Sequence, residues 1–258
     1  MLAVENIDVS EDTQCSIATK FESKDGKSIP LSKDEKLQKK LQRIVDKIQA
    51  ENNLHNFRYS VRLVRMTEPN AFTPGCGRIY VTEGMIALTE MEAHMAMILS
   101  HEMAHGEKGH SAERRRDTVA IAAATDFVND WFGRKVGQDD WIKKLQQLGL
   151  STALSQYSQD AEREADQEGL IYYVAAGYQP VAAPQAFQKL HDELGSTPTL
   201  LNAVSGSHPR ADDRAEKLRE IVRTLPNPRL GISNTKEWDQ LTRAYRLRQN
   251  EQESADRS

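Results

Sequence analysis

Residues 98–110 read Ile98-Leu99-Ser100-His101-Glu102-Met103-Ala104-His105-Gly106-Glu107-Lys108-Gly109-His110. Positions four apart on a helix stand one above the other on the same face. His101 and His105 can therefore turn two imidazoles toward one metal ion, with Glu102 one step round beside them. That spacing suits a zinc hydrolase, in which two neutral nitrogens hold Zn²⁺ and the carboxylate accepts a proton from the attacking water. Zinc brings the pKa of such a water down to about 7. The arrangement needs a helix, and the flanks predict one. Thr89-Glu90-Met91-Glu92 reads as a capping box with Thr89 as N-cap. Met91, Met95, Ile98, Leu99, Met103 and Ala104 recur at the spacing of an amphipathic helix, and Gly106 and Gly109 end the run.

Two histidines do not complete a zinc site. In the His₂Glu class the third ligand comes from a later helix. The sequence predicts one over about 158–176, closed by Gly177 with Pro180 beyond. It carries Asp160-Ala161-Glu162-Arg163-Glu164-Ala165-Asp166. Glu162 and Asp166 are four apart and share a face, while Glu164 points about 200° away from both. Glu162 is therefore the expected ligand and Asp166 the outer partner that orients a ligating histidine. Glu164 is expected to be silent.

The remaining elements follow from the same kind of pattern. Residues 1–31 read as a polar N-terminal arm. Ser32-Lys33-Asp34-Glu35 is a second capping box, opening a helix with Leu37, Leu41, Ile44, Val45 and Ile48 on one face. Phe57, Tyr59, Val61 and Leu63 alternate with polar residues as in a half-buried strand, residues 70–77 read as a turn-rich link, and 78–82 as a further strand. A small, antiparallel sheet is thus expected beside the His-Glu helix, where an edge strand could hold an extended substrate backbone. Residues 111–150 form an insert that reads either as a lid or as more core. Pro184 and Gly195 bracket another helix, and Ser207-His208-Pro209-Arg210 leads into one carrying Leu218, Ile221, Val222 and Leu225. The expected organisation is an arm (1–31), one domain of α+β, mainly α, class (32–228), and a polar tail with one short helix (229–258).

Composition narrows the function. A net charge of −4 argues against nucleic acid as the main partner. No stretch reaches the roughly 18 apolar residues of a membrane span, which leaves peripheral membrane association open. The opening Met1-Leu2-Ala3-Val4-Glu5 has no basic start and no apolar block, so it shows no signal peptide. Cys15 and Cys76 are too few and too far apart for a metal-type pair, and sequence alone leaves their pairing open.

With the His101–His105 pair, the Glu162–Asp166 segment and Ser207-His208-Pro209 in place, the chain resembles family forty-eight of the metallopeptidases. That family holds the CAAX prenyl proteases, the HtpX-type peptidases and soluble envelope members such as LoiP and BepA. The likeness extends to Asn70-Ala71-Phe72 and to Gly77-Arg78-Ile79-Tyr80-Val81-Thr82-Glu83-Gly84, and spans roughly residues 35–225. It implies a gluzincin-type domain holding one zinc through His101, His105 and Glu162, with Glu102 as general base. It further implies that His208 reaches the site, either stabilising an oxyanion or capping the zinc in a closed state, and that Arg214 supports the cleft. A cysteine in the Asn-Ala-Phe loop and another near the N-terminus imply a Cys15–Cys76 disulfide and a bacterial periplasmic or envelope location. If the chain begins where the native protein does, the location expected is cytoplasmic.

The function expected is a zinc endopeptidase acting on unfolded or damaged proteins. A metzincin reading fails on spacing, since its third histidine lies six residues beyond the second, whereas His110 lies five beyond His105. His110 is then a structural neighbour. The alternative from another class is a chaperone-like or scaffold protein stabilised by zinc. The intact Glu102 weighs against it, because a scaffold needs no general base.

Overall fold

The computed structural model describes residues 30–67, 69–110, 157–194 and 211–256. Cys15, the 111–150 insert and His208 lie outside them. Helix α1 (Glu35–Glu51) buries Leu37, Leu41, Ile44, Val45 and Ile48, the face that the sequence predicts. Its cap differs from the expected box. Asp34 is the N-cap and its Oδ1 accepts from the Leu37 amide at 3.0 Å, while Ser32 donates its hydroxyl to Glu83 instead.

Strands β1 (Ser60–Val64), β2 (Ala71–Gly75) and β3 (Arg78–Thr82) form one sheet in the order β1-β3-β2. The sheet is mixed, not antiparallel as expected. β2 and β3 form an antiparallel hairpin, but β1 lies on the far edge of β3 and runs parallel to it, pairing Ser60 with Arg78 and Val64 with Thr82. The stretch read as a link is itself β2. It contains a proline and a register shift between Phe72 and Gly75, irregularities that an edge strand tolerates. Gly77 closes the hairpin at φ +64°, where an added Cβ would meet Phe57 Cβ at 2.6 Å. The outer edge of β1 is covered from α1. Gln38 donates to Val61 O and accepts from Leu63 N, and Gln42 does the same for Tyr59 O and Val61 N. Two glutamines one helical turn apart thus stand in for a strand along Tyr59–Leu63, and Leu31, bridged to Val64, continues the cover.

After the short α2 (Glu83–Leu88) comes α3 (Glu92–Glu107), the helix that carries the histidine pair. It is not amphipathic. Every residue from Glu92 to Gly106 is buried, as befits a helix packed on all sides. Nor does Thr89 cap it, because that threonine ends α2, donating its hydroxyl to Met85 O at 3.0 Å. The orphan amides of α3 find partners far along the chain: Glu92 N donates to Asn234 Oδ1 at 3.1 Å and Ala93 N to Ser233 O at 3.0 Å. The Glu92 carboxylate takes Lys40 at 2.9 Å, Tyr178 at 3.2 Å and the Thr235 hydroxyl.

Helix α4 (Gln159–Ala175) packs along α3, with Ser158 as the N-cap accepting from Ala161 N. A 3₁₀ turn (Pro180–Ala182) leads into α5 (Ala183–Leu194), which packs on α6 (Ala211–Thr224) and on α3. The last helix corrects the expected tail. α7 (Lys236–Asp256) has 21 residues and packs against α2 and α1, burying Trp238, Thr242 and Tyr245. No helix among the described residues is long and apolar enough to cross a membrane.

Candidate active site

The helical spacing of His101 and His105 brings their Nε2 atoms to 3.0 Å from each other, with the rings nearly perpendicular. Across the α3–α4 interface, Glu162 places Oε1 3.1 Å from His105 Nε2 and Oε2 3.5 Å from His101 Nε2. All three residues are buried, and their ligand atoms lie within 4.8 Å of one another. Donors on a tetrahedral zinc with bonds of about 2.0–2.1 Å are separated by about 3.3 Å. The spacing observed here brackets that value, so the three residues fit such an ion. Glu102, also buried, follows His101 on the same helix.

Around these atoms lies a charged shell. Asp166, one turn after Glu162, reaches His101 Nδ1 with Oδ1 at 3.1 Å. Arg214 from α6 donates to both oxygens of Asp166, at 2.8 and 2.6 Å, and forms an ion pair with Glu162 Oε2 at 2.9 Å. Its guanidinium stacks on the Phe187 ring of α5 at 4.3 Å. One arginine thus clamps both α4 carboxylates in place. Burial alone would raise the pKa of Asp166, but the Arg214 charge and the His101 hydrogen bond hold it below the usual range. For His101, burial and Arg214 oppose protonation, yet the acceptor oxygens of Asp166 and Glu162 prevail and raise its pKa. An outer carboxylate that makes a histidine more basic also makes it a better ligand.

Two features escaped the sequence reading. Tyr157, just ahead of the Ser158 cap, stacks on the His105 ring at 3.7 Å with 13° between planes. Glu164, expected to be silent, is bonded to Lys108 and to His110, and Lys108 foremost holds its pKa below the ordinary value. The helical register does aim Glu164 away from the ligand atoms, but the residues just past the end of α3 come round to meet it.

The interface also imposes a steric limit. A Cβ on Gly169 of α4 would lie 3.0 Å from both the Cα and N of His101, backbone atoms that no rotamer change can move. Helix propensity alone would make Gly169→Ala stabilising by about 1 kcal/mol. Overpacking of about 1–3 kcal/mol should outweigh this. The expected result is a lower denaturant midpoint and weaker metal binding. A rise in the midpoint would show that α3 and α4 move apart to accept the methyl group.

Known proteins place this arrangement. The profile of peptidase family M48 matches residues 33–222. Similar proteins include the mitochondrial metalloendopeptidase OMA1 of Schizosaccharomyces pombe, 27% identical over 179 residues that cover 69% of this chain and 51% of that protein. The beta-barrel assembly-enhancing protease of Yersinia pestis is 24% identical over 211 residues, covering 78% of this chain and 42% of its own length. Metalloprotease YcaL of Escherichia coli is 25% identical over 192 residues, covering 74% and 72%. The chain thus spans about half the length of the first two. A match over most of the chain, on a fold that gathers two histidines of one helix and a glutamate of the next, establishes that the chain belongs to peptidase family M48.

Proposed function

We propose that this chain is a zinc-dependent endopeptidase, with one Zn²⁺ per chain, acting on unfolded or damaged proteins. The observation that carries this reading is the convergence of three buried donor atoms at tetrahedral spacing, with Glu102 next in sequence to a ligand. His101, His105 and Glu162 would hold the metal, which when bound supplies a Lewis acid for the scissile carbonyl and acidifies the attacking water. Glu102 accepts that water's proton and delivers it to the leaving amine. Asp166, fixed by Arg214, keeps the His101 ring from turning. Strand β2 packs on α3 at one edge of the sheet. A substrate strand added beside β2 would bind through main-chain hydrogen bonds, which an extended backbone supplies, and that mode would favour unfolded substrates.

His208, outside the described residues, is assigned by resemblance to oxyanion stabilisation or to capping the metal. His208→Ala lowers turnover in the first case and raises it in the second. The test of the function is cleavage of casein by the purified chain, abolished by a chelator and restored by stoichiometric zinc. Tight zinc binding with no cleavage of any unfolded substrate would instead support the zinc-stabilised scaffold.

Cys76 sits in the β2–β3 turn at φ +56°. A Cys15–Cys76 bridge would tie the N-terminal arm to the hairpin ahead of α3, and a closed loop of about sixty residues contributes roughly 4 kcal/mol in the chain-entropy model. Titration of the denatured, unreduced chain is expected to find no free thiol, and two thiols per chain would rule the bridge out.

A further inference from the structure

His101 Nδ1 contacts the Asp166 carboxylate, whereas among the described residues His105 Nδ1 faces another imidazole. That Nδ1 lies 2.9 Å from Nδ1 of His110, and His110 in turn places Nε2 3.2 Å from Glu164 Oε2. We propose that His110 and Glu164 form an imidazole–carboxylate relay that orients His105 toward the metal, making both positioning residues. The proposal rests on the metal-site reading above.

Proton accounting allows one arrangement. His105 Nε2 faces His101 Nε2 at 3.0 Å and Glu162 Oε1 at 3.1 Å, so this is the atom that would bind metal. A neutral ligating His105 then carries its proton on Nδ1. Across this contact that N–H needs a bare Nδ1 on His110, which puts the His110 proton on Nε2, where it donates to Glu164. Each donor in the series therefore meets an acceptor. The far end is anchored as well. Although the Glu164 side chain is 49% exposed, its Oε1 takes Lys108 at 3.1 Å while Oε2 takes His110. His110 itself is buried.

Backbone geometry supports the assignment. On an uninterrupted helix, a residue five beyond His105 would point about 140° away from it. Gly109 breaks the helix with φ +73°, and the reversal returns the His110 ring to within 5.0 Å of the His105 ring, centroid to centroid. The five-residue spacing that excludes His110 as a third ligand of the metzincin type is the spacing that makes it a partner of the second ligand. Outer partners of this kind typically contribute about 10–100-fold in metal affinity.

The experiment measures zinc affinity by chelator competition on the full chain, together with the tautomers of the ¹⁵N-labelled histidines in the zinc-loaded parent. His110→Ala is expected to weaken zinc binding about 10–100-fold. His110→Asn, whose amide oxygen sits where Nδ1 was, should recover most of that loss, a rescue that a purely space-filling role would not give. In the parent, His110 should carry its proton on Nε2 and His105 its proton on Nδ1. A His110 protonated on Nδ1, or a zinc affinity in His110→Ala within twofold of the parent, would overturn the relay while leaving the zinc site standing. A parent that fails to bind zinc, or a Glu162→Ala variant that binds it unchanged, would overturn the ligand set beneath it. The tautomer measurement uses the parent alone, so it decides the question even if a variant fails to fold.

Discussion

Glu102→Gln is expected to keep its zinc and its fold while losing turnover by a factor on the order of 10²–10⁴, the usual contribution of a positioned general base. The amide has nearly the same shape as the carboxylate, so the buried site on α3 has no steric reason to rearrange. It cannot take a proton from the attacking water. None of the three ligand atoms belongs to Glu102, so zinc per chain should remain at the parental value. Steady-state cleavage of a fluorogenic peptide, read beside metal content, checks both halves. Parental turnover in this variant would mean that another group removes the proton, and the mechanism would fall.

The second large effect is on the metal itself. Glu162→Ala is expected to release zinc on dialysis, leaving well under one ion per chain. It removes the one candidate ligand supplied by α4, and it also takes from Arg214 the carboxylate with which it pairs at 2.9 Å, leaving that buried cation to Asp166. Binding to the folded state alone stabilises by about 4 kcal/mol when zinc is present at a thousand times its dissociation constant. The variant should therefore no longer gain melting temperature when zinc is added. Glu164→Ala provides the contrast. The helical register keeps Glu164 out of the ligand set, but its bond to His110 means that it should lower zinc affinity modestly and still fill to one ion per chain at saturation. Equal loss of metal in the two variants would contradict the geometry of α4.

Much of this site was legible in the sequence because its parts are local. His101, Glu102 and His105 share one helical turn and its neighbour, and Glu162 and Asp166 share another. The 3.6-residue period alone predicts which side chains align, and Ser158 caps α4 in the register that this period requires. The strand β3 was likewise readable, as a short β-rich run ending at the Thr82 cap of α2.

What escaped the sequence depends on contacts between distant residues. The cap of α3 comes from Asn234, 142 residues beyond the amide it receives, so the local Thr89 box could not reveal it. The direction of β1 depends on which edge of β3 it joins, and the β2–β3 hairpin had already taken the other. Burial of α3 on every side reflects packing by β2, α1, α4 and α5, which a one-dimensional period cannot distinguish from a single apolar face. His110 shows the limit most directly: helical extrapolation points it away from His105, and only the left-handed turn at Gly109, closed onto Glu164 of a separate helix, brings it back. Sequence by itself determined which side chains gather as candidate ligands, because they follow the helical repeat. Tertiary structure decided what holds those ligands in place, because the holding groups come from elements far apart in the chain.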